Sequence, residues 1–171
     1  MVTTLPDTAQ VSLPGDTQVS VKRAFRAPRE LVWEAYTTPE LVRRWLTGYP
    51  GWTMTVCEMD VRAGGTFRWR WRNDADGQEF GFYGEYLEVD APARLHNTEA
   101  FDPGDVGGSM GAEPALITVT FEEHDGATVM TTLIEYDSRA SRDEALATGM
   151  TDGMEWGYKN LDQVLAARQE V

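Results

Sequence analysis

An α+β fold is predicted, with an antiparallel sheet packed against one long C-terminal helix, and three features of the sequence point to it. Between residues 54 and 136, runs that alternate apolar and polar side chains are separated by turn signals such as Ala63-Gly64-Gly65, Asp90-Ala91-Pro92 and His124-Asp125-Gly126. Ahead of them, AFRAPRELVWEAYTTPELVRRW at 24–45 closes an extended segment and then starts twice at a proline, as short helices do. After them, Leu146, Met150, Gly153, Gly157, Leu161 and Val164 recur at steps of three and four, the period of a helix with one buried face.

In chain order, the first eighteen residues are polar, contain Pro6, Pro14 and Gly15, and show no sustained period. They are expected to form a flexible N-terminal arm, with residues 19–171 as one domain. Val19, Val21 and Phe25 mark the first strand. Leu31, Val32, Ala35 and Tyr36 give the first short helix its apolar face, and Thr38 is placed to cap the second at Pro39. Strands follow at Met54–Val61, Thr66–Arg72, Phe80–Val89, Arg94–Phe101, Ala115–Glu122 and Thr128–Tyr136, about six to seven in all. The glycine-rich stretch from Asp102 to Glu113 reads as a long loop. Ser141, with Glu144 three residues on, forms a capping box that opens a helix expected from about Arg142 to Arg168. Gly149, Gly153 and Gly157 lie on one stripe of that helix, each costing about 1 kcal/mol relative to alanine. Close packing or room for a ligand would offset this.

Composition excludes several function classes. With 28 acids against 15 bases, the net charge of −13 disfavours nucleic acid and anionic lipid as partners. The single cysteine, Cys57, forms no internal disulfide, and the N-terminus lacks the basic and apolar regions of a secretory signal, so a cytoplasmic location is expected. No apolar run approaches the ~20 residues of a membrane span. Bases concentrate in residues 19–72 and acids in 73–125. Arg68, Arg70 and Arg72 alternate with Phe67, Trp69 and Trp71, as on a strand with one solvated face.

Five stretches in register carry a family resemblance: AFRAPRELVWEAYTTPELVRRW, DVRAGGTFRW at 60–69, GEYLEVDAPARL at 84–95, ITVTFEEHDGAT at 117–128 and GMTDGMEWGYKNLDQVL at 149–165. From about Val19 to Ala167 the chain resembles the START-like, helix-grip superfamily, also labelled SRPBCC, and within it the activator-of-Hsp-ATPase homologues. The resemblance implies a curved antiparallel sheet gripping the C-terminal helix with a cavity between them. It also implies a hydrophobic or aromatic small-molecule ligand. Two alternatives come with it: a cyclase- or aromatase-like enzyme acting on polyketides, and a co-chaperone-like protein-interaction module.

The residues themselves offer little chemistry. There is no zinc spacing, no phosphate-cradling loop and no serine or cysteine beside a base, so no metal, cofactor or covalent nucleophile is expected. His96 and Glu99 are the only pair worth considering for proton transfer, although three residues along a strand puts them on opposite faces. Glu58 and Asp60 are expected to share a face with Met54 and Val56, and Asp60 to brace the Gly64-Gly65 turn with Arg62. Aromatic and sulfur-bearing side chains are abundant, and Trp45, Trp52, Trp69, Trp71, Tyr83, Met150 and Met154 are the candidates for lining an apolar pocket.

Overall fold

The computed structural model describes residues 5–107 and 113–170. β1 (Gln10–Ser12) and β2 (Gln18–Phe25) lead into α1 (Arg29–Thr37) and α2 (Pro39–Trp45). Six strands follow: β3 (Trp52–Met59), β4 (Thr66–Asn73), β5 (Glu79–Asp90), β6 (Arg94–Asp102), β7 (Ala115–His124) and β8 (Ala127–Glu135). The chain ends in α3 (Arg139–Ala147) and α4 (Met150–Gln169). The strands form one eight-stranded sheet in the order β1-β2-β8-β7-β6-β5-β4-β3, with every pairing antiparallel. From β2 the chain crosses by α1 and α2 to the far edge and meanders back until β8 lies beside β2. The fold is the expected α+β helix-grip arrangement, with one strand more than the sequence suggests. The extra strand is β1, which pairs Val11 with Val21. Its three residues are too few to show a period.

Local chemistry explains the turns and the curvature. β7 and β8 join through Asp125 and Gly126, both at positive φ, the two-residue turn whose twist matches the strands it connects. Asp60 and Arg62 pair at 2.9 Å beside the Gly64-Gly65 turn, as expected. Register shifts between Met54 and Val56 on β3 and between Tyr86 and Glu88 on β5 bend the sheet. Gly84 sits at a close approach, where a Cβ would lie 2.0 Å from the Thr98 carbonyl oxygen. The bulge on β3 corrects one expectation. Met54 and Cys57 are the buried residues there, whereas Glu58 is exposed, because the extra residue reverses the alternation that would have put Glu58 beside Met54.

The expected single helix from Arg142 to Arg168 is two helices. Ser138 is the N-cap, its Oγ accepting from Ser141 N at 3.0 Å, so Ser141 lies inside α3 and the Ser141/Glu144 capping box does not form. α3 ends at Thr148 and Gly149, the glycine at φ 80 with its N–H on the Leu146 carbonyl. α4 then runs across the concave side of the sheet. Pro28 occupies the cap position before α1, and Thr38 that before α2, where its carbonyl rather than its side chain accepts from Leu41 and Val42.

α4 is used unequally along its length. Leu161, Val164 and Leu165 are buried in the main core with Val19, Val21 and Phe25 of β2 and Val32 of α1. Arg23 fastens α4 from beneath: it is 3% exposed, bridges to Asp162 at 2.7 Å and, nearer the helix start, to Glu155 at 3.2 Å, and stacks 4.8 Å over the Phe25 ring. A smaller cluster of Val42, Met54, Cys57 and Trp71 joins α2 to the β3 edge. Among the described residues no helix is long and apolar enough to cross a membrane.

Candidate functional site

The N-terminal half of α4 does not rest on the sheet; it roofs a cavity of about 880 Å³. The floor follows from strand alternation. On β4, Trp69 and Trp71 face inward, and directly opposite them β5 presents Phe82 and Phe80. Trp71 stacks on Phe80 at 5.4 Å, Phe82 packs on Phe101 of β6 at 5.4 Å, and Trp52 meets Phe80 edge-on at 5.2 Å. The roof comes from Met150, Gly153, Met154 and Tyr158, one stripe of α4. A Cβ at Gly153 would meet only the Tyr49 hydroxyl at 3.8 Å, so this glycine keeps space open, while at Gly157 it would touch the Trp45 carbonyl oxygen at 3.4 Å.

Tryptophan N–H groups hold the wall in place. Trp45 Nε1 donates to the Ala35 carbonyl at 2.9 Å, Trp71 Nε1 to that of Leu46 at 2.9 Å and Trp156 Nε1 to that of Gly48 at 3.0 Å. The first holds α2 against α1, and the other two tie the floor and the roof to the segment that follows α2. Trp69 differs: its Nε1 is buried and has no hydrogen-bond partner among the described residues.

Trp45, Trp52, Trp69, Trp71, Met150 and Met154 all lie on the cavity. Tyr83 borders it too, but it pairs with Arg68 and Ala100 on the opposite face of the sheet and is half exposed. Tyr36, Phe80, Phe82, Phe101, Tyr136 and Tyr158 line the cavity as well, beyond the seven expected from the sequence. Alternation on β5 and β6 carries a signal for the phenylalanines. Nothing local in the sequence brings Tyr36 of α1 to Tyr158 of α4. The loop expected from Asp102 to Glu113 contributes Pro103, Val106 and Gly107, and its residues 108–112 lie outside those described.

The His96–Glu99 pair does not form. His96 is on the convex face, its Nδ1 within 3.0 Å of Thr118 Oγ1 and 3.2 Å of the Ile117 carbonyl oxygen. Glu99 faces the cavity, and among the described residues its carboxyl has no hydrogen-bond or ion-pair partner. Burial pushes its pKa up to about 7. Four phenols interact with it: Tyr36, Tyr86, Tyr136 and Tyr158, all raised chiefly by burial, Tyr158 to about 12. They are therefore neutral donors at ordinary pH. Burial also raises the Cys57 thiol, which lies outside the cavity. Among the described residues no three His, Cys, Asp or Glu side chains gather as a metal site.

Comparison with known proteins fits this architecture. A crystal structure from Rhodobacter sphaeroides is 30% identical, covers 94% of this chain and 99% of its own, and superposes with a TM-score of 0.85. One from Mycobacterium smegmatis is 26% identical over 92% of this chain and 96% of its own, with a TM-score of 0.80. A solution structure from Aeromonas hydrophila, described as an AHSA1-like protein, shares the fold at 22% identity and a TM-score of 0.66, covering 89% of this chain and 94% of its own. No curated protein matches in sequence. The family profile described as "Activator of Hsp90 ATPase homolog 1-like protein" matches residues 26–166, and the chain belongs to that family.

Proposed function

We propose that this protein encloses a hydrophobic or aromatic small molecule between its sheet and α4, as a non-catalytic carrier or sensor. Family membership suggests a ligand-binding or co-chaperone-like module, and the cavity supports the first. The observation that carries the reading is a space of about 880 Å³ walled by aromatic and methionine side chains, within the ~300–1,000 Å³ of small-molecule sites. Its wall is braced by the three tryptophan N–H bonds, so the cavity is largely formed before a ligand arrives.

Titration with the neutral dye Nile red tests this. Saturable binding is expected, weakened at least ~10-fold by Gly153→Phe, whose ring would grow into the cavity while the thermal melt stays cooperative. Absence of saturable dye binding to the wild type, with no co-purified ligand in a native mass spectrum, would remove the binder reading.

One observation favours an enzymatic alternative of the cyclase type: Glu99, at about 7, is suited to exchanging a proton inside the cavity. Turnover of an aromatic polyketide precursor, slowed ~10²-fold or more by Glu99→Gln, would replace binding with catalysis.

A further inference from the structure

The charges on the cavity wall are all of one sign. Among the described residues that line it there is no lysine, arginine or histidine, and the charged side chains are Glu99 and Glu113. Residues 108–112, Gly-Ser-Met-Gly-Ala, carry no charge either. Glu113 is exposed, whereas Glu99 is half-buried and faces the cavity from β6. A carboxylate inside an apolar space normally has a cation or several N–H donors to offset its desolvation. Glu99 has neither among the described residues, so its charge is left for something that enters.

The groups facing Glu99 sort possible ligands by charge. Tyr36 comes from α1, Tyr86 from β5, Tyr136 from the end of β8 and Tyr158 from α4; β4 adds the Trp69 indole on the cavity wall. Aromatic faces carry negative potential and attract ammonium groups, an effect that grows when water is excluded. The Thr132 hydroxyl, 4% exposed, lies against the Tyr158 hydroxyl and lowers its pKa, and its oxygen can also accept an N–H. An anionic ligand would meet a carboxylate and the negative faces of these rings with no basic side chain to receive it. A wholly neutral ligand would leave Glu99 unpaired.

We infer that the cavity selects an aromatic or otherwise apolar molecule carrying one basic nitrogen, with the ammonium on the Glu99 carboxylate amid Tyr36, Tyr136 and Tyr158 and the apolar body against Trp69, Trp71 and Phe82. The inference rests on the cavity being a ligand site, and deepens that reading by naming the ligand class. Binding draws Glu99 into its ionised form. In the free protein that form is reached as pH rises through about 7, and the phenols around it stay neutral over the same range.

Three probes of one size separate the possibilities by isothermal titration calorimetry: 2-(1-naphthyl)ethylamine, 2-(1-naphthyl)ethanol and 1-naphthylacetic acid. At pH 8.5 the amine is expected to bind at least ~10-fold more tightly than the alcohol, and the acid more weakly than either. Glu99→Gln should bring amine and alcohol within ~3-fold of each other, chiefly by weakening the amine. In the wild type, lowering the pH to 5.5 should weaken the amine by ~30-fold, the factor by which ionised Glu99 declines, without weakening the alcohol. This arm needs no variant. Alcohol binding as tight as the amine, tighter binding of the acid, or an amine preference that survives both Glu99→Gln and pH 5.5 would overturn the charge assignment while leaving the cavity as a ligand site. Failure of all three probes together with Nile red would overturn both.

Discussion

Glu99 places a carboxyl where water is scarce, and its stability linkage has a definite sign. The folded-state pKa is raised to about 7 from the usual 4.5, so the native state holds this proton more tightly than the unfolded chain. The contribution is fully present below about pH 4.5 and is lost as pH rises through about 7. For a group that keeps some contact with the cavity, the loss is about 1–3 kcal/mol. Urea denaturation should therefore show Glu99→Gln more stable than the wild type by about that amount at pH 8 and equal to it at pH 4. A constant difference across that range would mean Glu99 is not desolvated. The same residue shows how far a site can be read from one strand. Its type, and its separation from His96 onto the other face, follow from spacing. Its solitude does not, because the phenols around it come from α1, β5, the end of β8 and α4, and their convergence is a property of the packed molecule.

At the scale of elements, the C-terminal helices and their fastening to β2 decide where the cavity roof lies. Gly149 is at φ 80 with nothing within 4 Å of a would-be Cβ, so Gly149→Ala is expected to cost about 1–2 kcal/mol from the left-handed backbone alone. Gly153→Ala, inside α4 with similar room, should instead stabilise by up to about 1 kcal/mol. Equal effects of the two substitutions on the urea midpoint would argue for a continuous helix. The sequence period alone reads as continuous, because residues 146 and 150 keep the four-residue step across the junction. What it does not carry is the left-handed backbone at Gly149, where α4 starts, or the Ser138 cap, where α3 starts. Arg23 likewise reads as one more base on an alternating strand, yet it is buried beneath α4 between Asp162 and Glu155. Burial alone would lower its pKa, but the hydrogen bonds it donates to Asp162 and Glu155 keep it raised. Arg23→Met is expected to cost about 2–3 kcal/mol, less than the ~3–5 of a fully buried pair because Asp162 remains 45% exposed.

Across the whole molecule, a packed core and an open cavity share one helix. The element order and the antiparallel meander were legible because alternation and turn residues act locally. Strand alternation places Trp69 and Trp71 on the cavity and helix period places Met150 and Met154 there, whereas Tyr83, one residue after Phe82, is turned by the same alternation to the convex face beside Arg68 and Ala100. Stability along α4 should follow the packing beneath it. Leu161, Val164 and Leu165 sit in the main core, beside the Arg23–Asp162 bridge, while Met150, Gly153 and Met154 have the cavity below them. Backbone segments with few buried contacts open at lower free energy than the core. Amide hydrogen exchange should therefore be slowest at 161–165 and measurably faster at 151–157 in the free protein. Saturating Nile red at about 100 times its Kd should slow exchange at 151–157 by up to ~100-fold, the mass-action factor for openings that release the ligand. Openings near 161–165 that leave the cavity intact should respond less. Uniform exchange along α4 would show that the roof is held as firmly as the core, and equal slowing of both halves would show that the helix opens as one unit.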